Sequence, residues 1–217
     1  MPDYLAQRIN MVESQVRVND VTDVRVQDAM RSVPREMFAP TAKKATAYAD
    51  APLEVAPGRF LLEPRIIAKL LQLAQIAPED KVLDVACATG YSTAVLGKLA
   101  AKVTGLEQDA DLVRVASDQL AAVSARNTAI VQGSLADGFK DAAPYDVIFV
   151  NGTIEVRPES LLAQLAEGGR LVAVLKTDTH SRANIFLRRH GKVGTRADFD
   201  ADAPILAGFR QKAGFVF

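Results

Sequence analysis

An acid and a group of small residues lie within seven positions of each other near the middle of the chain. Asp84 belongs to the apolar run Val82–Ala86, and the small residues Ala86, Ala88 and Gly90 come after the acid. Small residues let a ligand approach the backbone, and a helix beginning there presents unpaired N–H groups. An acid before such a turn attracts a positively charged ligand group and disfavours a phosphate. The pattern predicts a strand, a ligand-binding turn with negative φ at Ala86 and Ala88, and a helix; the alternative is that Asp84 is only a polar strand end.

A second acid, Glu107, ends the next apolar run, Val103–Leu106. In nucleotide-binding Rossmann units, an acid about twenty residues beyond the turn accepts hydrogen bonds from the ribose hydroxyls. We therefore expect Glu107, with Gln108 beside it, to contact a ribose. The alternative is a solvated strand end.

Two further apolar runs end in residues that could contact the same ligand. Ser134 and Leu135 follow Ala129–Val131, where an adenine ring could lie across the loop, and Asn151 follows Val147–Val150. In doubly wound sheets, ligands bind beyond the carboxyl ends of the strands. These residues are therefore expected to line one cleft, although Asn151 could equally serve a turn.

The elements that position these residues alternate between short apolar runs and helical stretches from residue 81 to residue 176. This alternation predicts an α/β fold with a doubly wound, mostly parallel sheet, and we assign 81–176 as the cofactor-binding core. Pro64 is expected to open one helix with an apolar stripe. Asp109 is expected to begin another, where its charge complements the helix dipole.

The flanking segments follow other patterns. Residues 1–60 are predicted to form a helical N-terminal cap that ends in a structured loop, Ala51–Phe60, because that loop has no sustained period. Residues 177–217 are predicted to form a C-terminal β-hairpin with strands at Ile185–Leu187 and Phe209–Phe217, separated by the polar, turn-rich segment Lys192–Pro204. The whole chain is expected to be a single domain.

The chain resembles the protein-L-isoaspartate O-methyltransferases over roughly residues 10 to 176, beginning with the helical signature Asp23–Phe38. The similarity continues through Ala47–Leu53, the turn and strand ends above, Pro158–Leu162 and Gly168–Val172. The resemblance implies a Rossmann-like class I methyltransferase fold and S-adenosylmethionine as the cofactor. It further implies protein repair, with a protein or peptide substrate that carries an isoaspartyl residue.

The family stretch that reads approximately I-G-x-G-Q-T-I-S-Q-P corresponds to residues 55–64, aligned by Gly58 and Pro64. Arg59 therefore replaces a glutamine, and Leu62 replaces the family's active-site serine, so no catalytic residue is assigned. Arg59 or Arg65 could pair with a carboxylate, or both could be solvated charges. The predicted cofactor-binding residues are Gly58, Arg59, Asp84, Ala86, Cys87, Ala88, Gly90, Glu107, Gln108, Ser134, Leu135 and Asn151.

Amino-acid composition narrows the classes of partner, location and metal or disulfide site that the chain could have. Lys plus Arg and Asp plus Glu each number 26 among 217 residues, so the net charge of zero predicts no nucleic-acid partner. The N-terminal residues contain no apolar signal-peptide core, and the apolar runs are too short to span a membrane. One cysteine and two histidines predict neither a disulfide nor a metal site. We expect a cytoplasmic protein without membrane contact; the oligomeric state stays open.

Three other functions are compatible with parts of this pattern. The chain could bind S-adenosylmethionine or S-adenosylhomocysteine as a non-catalytic regulatory protein, or it could methylate a different acceptor. A nicotinamide-dependent oxidoreductase would use the same stretch from Asp84 to Glu107, but only Gly90 remains of the three loop glycines.

Overall fold

The fold is built on a seven-stranded sheet, as seen in a computed structural model that describes residues 3–177 and 179–211. The strand order is β5-β4-β3-β6-β7-β8-β9; β3 to β7 are parallel, and β8 and β9 are antiparallel to their neighbours. The strands are β3 (Lys81–Val85), β4 (Lys102–Glu107), β5 (Thr128–Gln132), β6 (Tyr145–Ile154), β7 (Leu165–Lys176), β8 (Ser181–Arg189) and β9 (Lys192–Asp200). The first two strands of the chain, β1 (Leu53–Ala56) and β2 (Arg59–Leu61), form a separate antiparallel pair.

Helices cover the sheet and build the N-terminal segment. The α-helices are α1 (Tyr4–Met11), α2 (Val24–Ser32), α3 (Pro64–Ala74), α4 (Tyr91–Leu96), α5 (Ala110–Ala122) and α6 (Glu159–Leu162). A π-helical stretch, Val12–Val16, continues α1, and 3-10 turns occur at Arg17–Asn19, Arg35–Phe38, Thr41–Thr46 and Lys140–Ala142.

Local sequence signals explain where the two best-defined helices begin. Pro64 occupies the first turn of α3, where its missing N–H would have no helical partner. The Asp109 side chain accepts hydrogen bonds from the N–H groups of Asp111 and Leu112 and so caps α5. Both predicted helix starts, and the apolar stripe of α3, are confirmed.

The core consists of two apolar clusters on opposite faces of the sheet. Val82 packs into the cluster that contains α3 and α4, whereas Leu83 and Val85 pack into the cluster that contains α6. Because side chains alternate between the faces of a strand, Asp84 points to the same face as Val82, toward α4. The burial of both sheet faces confirms the predicted parallel, doubly wound core.

The predicted loop Ala51–Phe60 is wrong, because most of it forms the hairpin of β1 and β2. Leu53 pairs with Leu61 and Glu54 with Phe60 across a turn at Pro57 and Gly58. Gly58 has φ +69°. In a four-residue type II turn with proline second, the third residue needs a positive φ, which glycine adopts without strain. The two strands are too short to show a hydrophobic period, so the turn residues were the informative signal.

The predicted second strand of the C-terminal hairpin, Phe209–Phe217, is wrong for residues 209–211, which form no strand. The polar segment Lys192–Pro204, expected to be turn-rich, contains β9, which is the sheet edge. An edge strand pairs on one side only and tolerates charged residues, so its sequence is not apolar. Phe209 is buried outside any strand, and its carbonyl accepts a hydrogen bond from the Glu155 N–H; residues 212–217 of that prediction lie outside the described residues.

Within residues 3–177 and 179–211, no helix combines the length and the apolar character needed to cross a bilayer.

Candidate functional site

The site lies at the edge of the sheet where β3 and β4 end and where β6 continues past Val150, its last residue paired with β3. The chain moves outward from β3 through β4 to β5 and then returns to the other side of β3 as β6, so the strand order reverses between β3 and β6. Such a reversal leaves a crevice beyond the carboxyl ends of the two strands. Asp84, Glu107 and Asn151 come together there.

Asp84 is fully buried and receives hydrogen bonds from three side chains. Its Oδ2 accepts from Ser92 Oγ at 2.7 Å and from Thr93 Oγ1 at 2.6 Å, and its Oδ1 accepts from Asn151 Nδ2. Burial raises the pKa of this carboxyl to about 6, against the opposing effect of the three donors. Since a carboxylate has roughly four acceptor positions, Asp84 retains room for one further donor.

Glu107 is also fully buried, and its donors come from three parts of the chain. Its Oε1 accepts from the Gln108 N–H at 2.8 Å and from the Asp109 N–H at 3.3 Å. Its Oε2 accepts from the Ala88 N–H at 3.0 Å and from the Arg59 guanidinium. Glu107 thus joins the turn after β3, the end of β4 and the β1–β2 hairpin.

The turn after β3 adopts the left-handed conformation at Ala86 and Ala88, with φ +65° and +51°, so the predicted negative φ at both positions is wrong. Left-handed backbone costs an L-residue roughly 1–2 kcal/mol. Hydrogen bonds fix this geometry: the N–H groups of Ala86 and Cys87 donate to the Leu106 carbonyl, and that of Ala88 donates to Glu107. The conformation typical of a glycine turn is therefore retained by alanine.

Cys87 and Gly90 complete the turn. The Cys87 side chain is buried, and burial raises the pKa of its thiol, which keeps it protonated and unreactive. Gly90 has φ +92°, and a Cβ there would lie 3.3 Å from Ala116 Cβ. Both observations indicate packing constraints where the turn meets α4 and α5.

The remaining predicted residues surround these acids. Ser134 is exposed in the loop after β5, whereas Leu135 is 1% exposed and packs in the same core cluster as Leu106. Gln108 is exposed. Asn151 lies inside β6 and also donates to the Val85 carbonyl at 3.3 Å, so the turn alternative for this residue is wrong.

Arg59 brings the β1–β2 hairpin against Glu107, so the segment that directly follows β2, here called the wall after β2, lies next to the crevice. The Leu62 side chain is 3% exposed and packs in the core cluster of α3 and α4. The segment is held by its backbone: the buried Arg35 donates from its guanidinium to the Leu62 carbonyl at 2.8 Å and to the Ala47 carbonyl at 2.7 Å. Arg35 also lies 4.8 Å from the centre of the Tyr91 ring.

Three of these residues were missed by the sequence analysis. Ser92 and Thr93 lie on the first turn of α4, eight and nine positions after Asp84, where their hydroxyls face the end of β3. Hydroxyls shortly after an acid on a strand are a usable signal for such a network. Arg35 carried no such signal, because its acceptors are carbonyl groups.

The two arginines that follow the β1–β2 turn have different environments. Arg59 is 8% exposed and pairs with Glu107, whereas the Arg65 side chain is 41% exposed and pairs with its neighbour Glu63. Across residues 3–177 and 179–211, no group of three or more His, Cys, Asp or Glu side chains is arranged to hold a metal ion.

The reversed parallel sheet with buried acids at its switch point defines a Rossmann-like class I methyltransferase fold. Two solved structures share it. A candidate protein-L-isoaspartate O-methyltransferase from Plasmodium falciparum, solved in complex with S-adenosyl-L-homocysteine, matches 92% of this chain and 97% of its own, with a TM-score of 0.80 and 22% identity. Another protein-L-isoaspartate O-methyltransferase matches 88% of this chain and 63% of its own, with a TM-score of 0.77 and 22% identity.

Sequence comparison is more specific. The model of the protein-L-isoaspartate(D-aspartate) O-methyltransferase family matches residues 7–200. A protein-L-isoaspartate O-methyltransferase of Koribacter versatilis is 41% identical over 169 residues, which cover 78% of this chain and 76% of that protein. One from Rhodopseudomonas palustris strain HaA2 is 36% identical over 199 residues, covering 92% and 81%. The chain belongs to the protein-L-isoaspartate O-methyltransferase family.

Proposed function

We propose that this chain transfers a methyl group from S-adenosylmethionine to the free carboxylate of an isoaspartyl residue in a damaged protein or peptide. The observation that carries this proposal is the convergence of Asp84 and Glu107 at the switch point of a chain that belongs to the isoaspartyl methyltransferase family. An acid at each of two adjacent strand ends suits a ligand with both a ribose and a cationic group.

The residues at the crevice fit this cofactor in chemistry. Glu107 is an ionisable acceptor beside a narrow turn, which suits ribose hydroxyls, and Asp84 has an acceptor position left for an ammonium group. The proposed cofactor-binding set is unchanged from the sequence analysis: Gly58, Arg59, Asp84, Ala86, Cys87, Ala88, Gly90, Glu107, Gln108, Ser134, Leu135 and Asn151. The Leu135 side chain packs in the core. In the loop after β5, Ser134 and the backbone are therefore the groups that would contact an adenine.

The reaction asks for positioning more than for proton transfer. S-adenosylmethionine would supply a methyl group bound to a positively charged sulfur. The acceptor oxygen would attack the methyl carbon in line with the carbon–sulfur bond, which breaks as the carbon–oxygen bond forms and releases S-adenosylhomocysteine. A carboxylate acceptor is already ionised near pH 7, so the chain need not supply a strong general base. Its contribution is to hold the acceptor at the right distance and to exclude water.

The wall at Leu62 must perform this positioning without a side-chain hydroxyl. Leucine offers a carboxylate no hydrogen bond, and apolar contact with a charged group carries a desolvation cost. The acceptor carboxylate therefore needs a donor from another part of the crevice wall.

The test is a methyl-transfer assay with S-adenosylmethionine carrying a radioactive methyl group. An isoaspartyl peptide should be labelled above the no-enzyme rate, and the same peptide with a normal aspartyl residue should not. Asp111→Asn serves as a surface control. It removes an acid whose side chain is 92% exposed on α5, so it should retain full activity. Calorimetric binding of S-adenosylhomocysteine without label transfer to the isoaspartyl peptide would contradict the proposed reaction and favour a non-catalytic or different-acceptor role.

We also propose a cytoplasmic location. The support is Cys87, the single cysteine of the sequence, which is buried as a free thiol. Fractionation of cells that express the tagged full chain would check this, and recovery outside the cytoplasmic fraction would contradict it.

A further inference from the structure

The ion pair between Arg59 and Glu107 lies where the proposed cofactor ribose would bind. Among the ion pairs of residues 3–177 and 179–211 it is the most buried, with side chains that are 10% and 0% exposed. Arg59 projects from the first position of β2, and its guanidinium occupies Oε2 of Glu107. A ribose hydroxyl that donates to Oε2 would need the place that the guanidinium holds.

The two partners depend on this pair to different degrees. Glu107 also accepts from three backbone N–H groups, those of Ala88, Gln108 and Asp109, so its charge stays hydrogen-bonded without the arginine. The Nε of Arg59, by contrast, is buried and has no hydrogen-bond partner in the part of the chain that the structure describes. Glu107 can therefore exchange one donor for another, while a displaced Arg59 requires a new acceptor.

We propose, building on the methyltransferase function proposed above, that Arg59 is a carboxylate-binding residue which passes from Glu107 to a ligand carboxylate when ribose hydroxyls take its place. A planar carboxylate is the matched partner for a guanidinium, because two parallel N–H···O bonds can form, one of them from Nε. The exchange would give the crevice the polar donor that Leu62 does not offer.

Two carboxylates could receive Arg59: that of the isoaspartyl acceptor or the α-carboxylate of the cofactor's own methionine part. Both have the same chemistry, and both would lie near the β1–β2 hairpin. The methionine carboxylate is part of the cofactor, whereas the acceptor carboxylate arrives with the peptide. 5′-Methylthioadenosine has the ribose and the adenine but no carboxylate, so it tests the competition for Glu107 without either carboxylate.

The first experiment is calorimetric titration of the full chain and of Arg59→Gln with 5′-methylthioadenosine. Because the guanidinium and the ribose compete for Oε2, the variant should bind this ligand more tightly, by roughly tenfold if the paired state dominates. Arg114→Gln removes an exposed arginine from α5 and should bind as the unaltered chain does. Affinity of Arg59→Gln equal to or below that of the unaltered chain would overturn the exchange.

S-adenosylhomocysteine and the peptide then separate the two carboxylates. If the acceptor receives Arg59, the variant should gain the same factor for S-adenosylhomocysteine as for methylthioadenosine, and its KM for the isoaspartyl peptide should rise. If the cofactor's carboxylate receives Arg59, the gain should shrink or reverse for S-adenosylhomocysteine alone, with an unchanged peptide KM. Equal gains with an unchanged KM would leave no carboxylate partner and would also overturn the proposal.

A measurement on the unaltered chain covers the case in which Arg59→Gln does not fold. Phenylglyoxal reacts with accessible guanidinium groups, and mass spectrometry locates the adduct. Adding methylthioadenosine should increase the labelling of Arg59 and leave Arg114 unchanged, because the ribose releases Arg59 from Glu107. Decreased or unchanged labelling of Arg59 would count against the exchange; neither result depends on methyl transfer, so the proposed reaction stands or falls separately.

Discussion

The two walls of the crevice are held in different ways. On the wall formed by β3, β4 and β6, the geometry depends on side chains: Asp84 and Glu107 are fully buried and are surrounded by specific donors. On the wall after β2, the position of Leu62 depends on its carbonyl, which Arg35 holds, while its side chain only fills space. The carboxylates of the first wall are therefore constrained by directed hydrogen bonds, whereas the residue at position 62 is constrained mainly by volume.

Removing the charge of Glu107 should give the largest effect and would test the first wall directly. Glu107→Gln leaves the Arg59 guanidinium buried beside a neutral amide, which we expect to lower the free energy of unfolding by about 3–5 kcal/mol. Urea denaturation measures this change.

The matched control for Glu107→Gln is a double variant that also carries Arg59→Gln. Because no buried charge then remains unpaired, the double variant should recover most of the lost stability. Additive losses would show that the pair is not coupled and that the first wall does not depend on its side chains as described.

Leu62→Ser would test the second wall. Serine in place of a buried leucine removes most of the side-chain volume and should lower the free energy of unfolding by roughly 3–4 kcal/mol. Leu62→Met keeps the volume and should cost under about 1.5 kcal/mol.

The comparison predicts that calorimetric affinity for S-adenosylhomocysteine stays unchanged in folded Leu62→Ser. The backbone of this wall is held by Arg35 and not by the Leu62 side chain. A large loss of affinity at a temperature where the variant is folded would mean that the Leu62 side chain, and not only its carbonyl, shapes the cofactor site.

The pH dependence of stability should reveal Asp84. Its pKa is raised to about 6 in the folded protein and is about 4 in an unfolded chain, so folding favours the protonated form. Its contribution to stability is therefore fully present below pH 4 and is lost as the pH rises through about 6, a change of roughly 3 kcal/mol for two pKa units.

Asp84→Asn should remove this component. Urea denaturation of both proteins between pH 4 and 7 gives the difference in their free energies of unfolding, and the unaltered chain should gain relative to the variant as the pH falls. A difference that is constant across this range would mean that the pKa of Asp84 is not raised.

The smallest expected effect concerns the turn. Ala86→Gly and Ala88→Gly relieve left-handed alanine and should each raise the free energy of unfolding by about 0.5–1 kcal/mol, after the entropy cost of glycine is counted. The same change at Ala121, on the exposed face of α5, should instead lower it by about 1 kcal/mol. Equal losses at all three positions would contradict the strain at the turn.

Site residues with a local sequence pattern could be predicted, whereas features set by tertiary contacts could not. Asp84, Glu107 and Asn151 were identified because strand ends are visible as apolar runs, and parallel topology brings such ends together. The conformation of Ala86 and Ala88 was not predictable from residue type, since tertiary hydrogen bonds to β4 override the preference of alanine. The edge strand β9 was missed because a one-sided strand requires no apolar pattern.

The Arg59–Glu107 pair shows most clearly which contacts cannot be predicted from the sequence. The two residues are 48 positions apart and lie in different sheets, and no local period relates them. Each was identified separately, the glutamate from its strand end and the arginine from its place in the family stretch. Their contact required the three-dimensional path of the β1–β2 hairpin.

The grip of Arg35 on two carbonyl oxygens has a consequence for how this protein can diverge. Every amino acid has a main-chain carbonyl, so replacing residue 62 does not remove the group that Arg35 holds. Natural variation or directed evolution can therefore replace residue 62 with other side chains of similar volume while the backbone of this wall keeps its course.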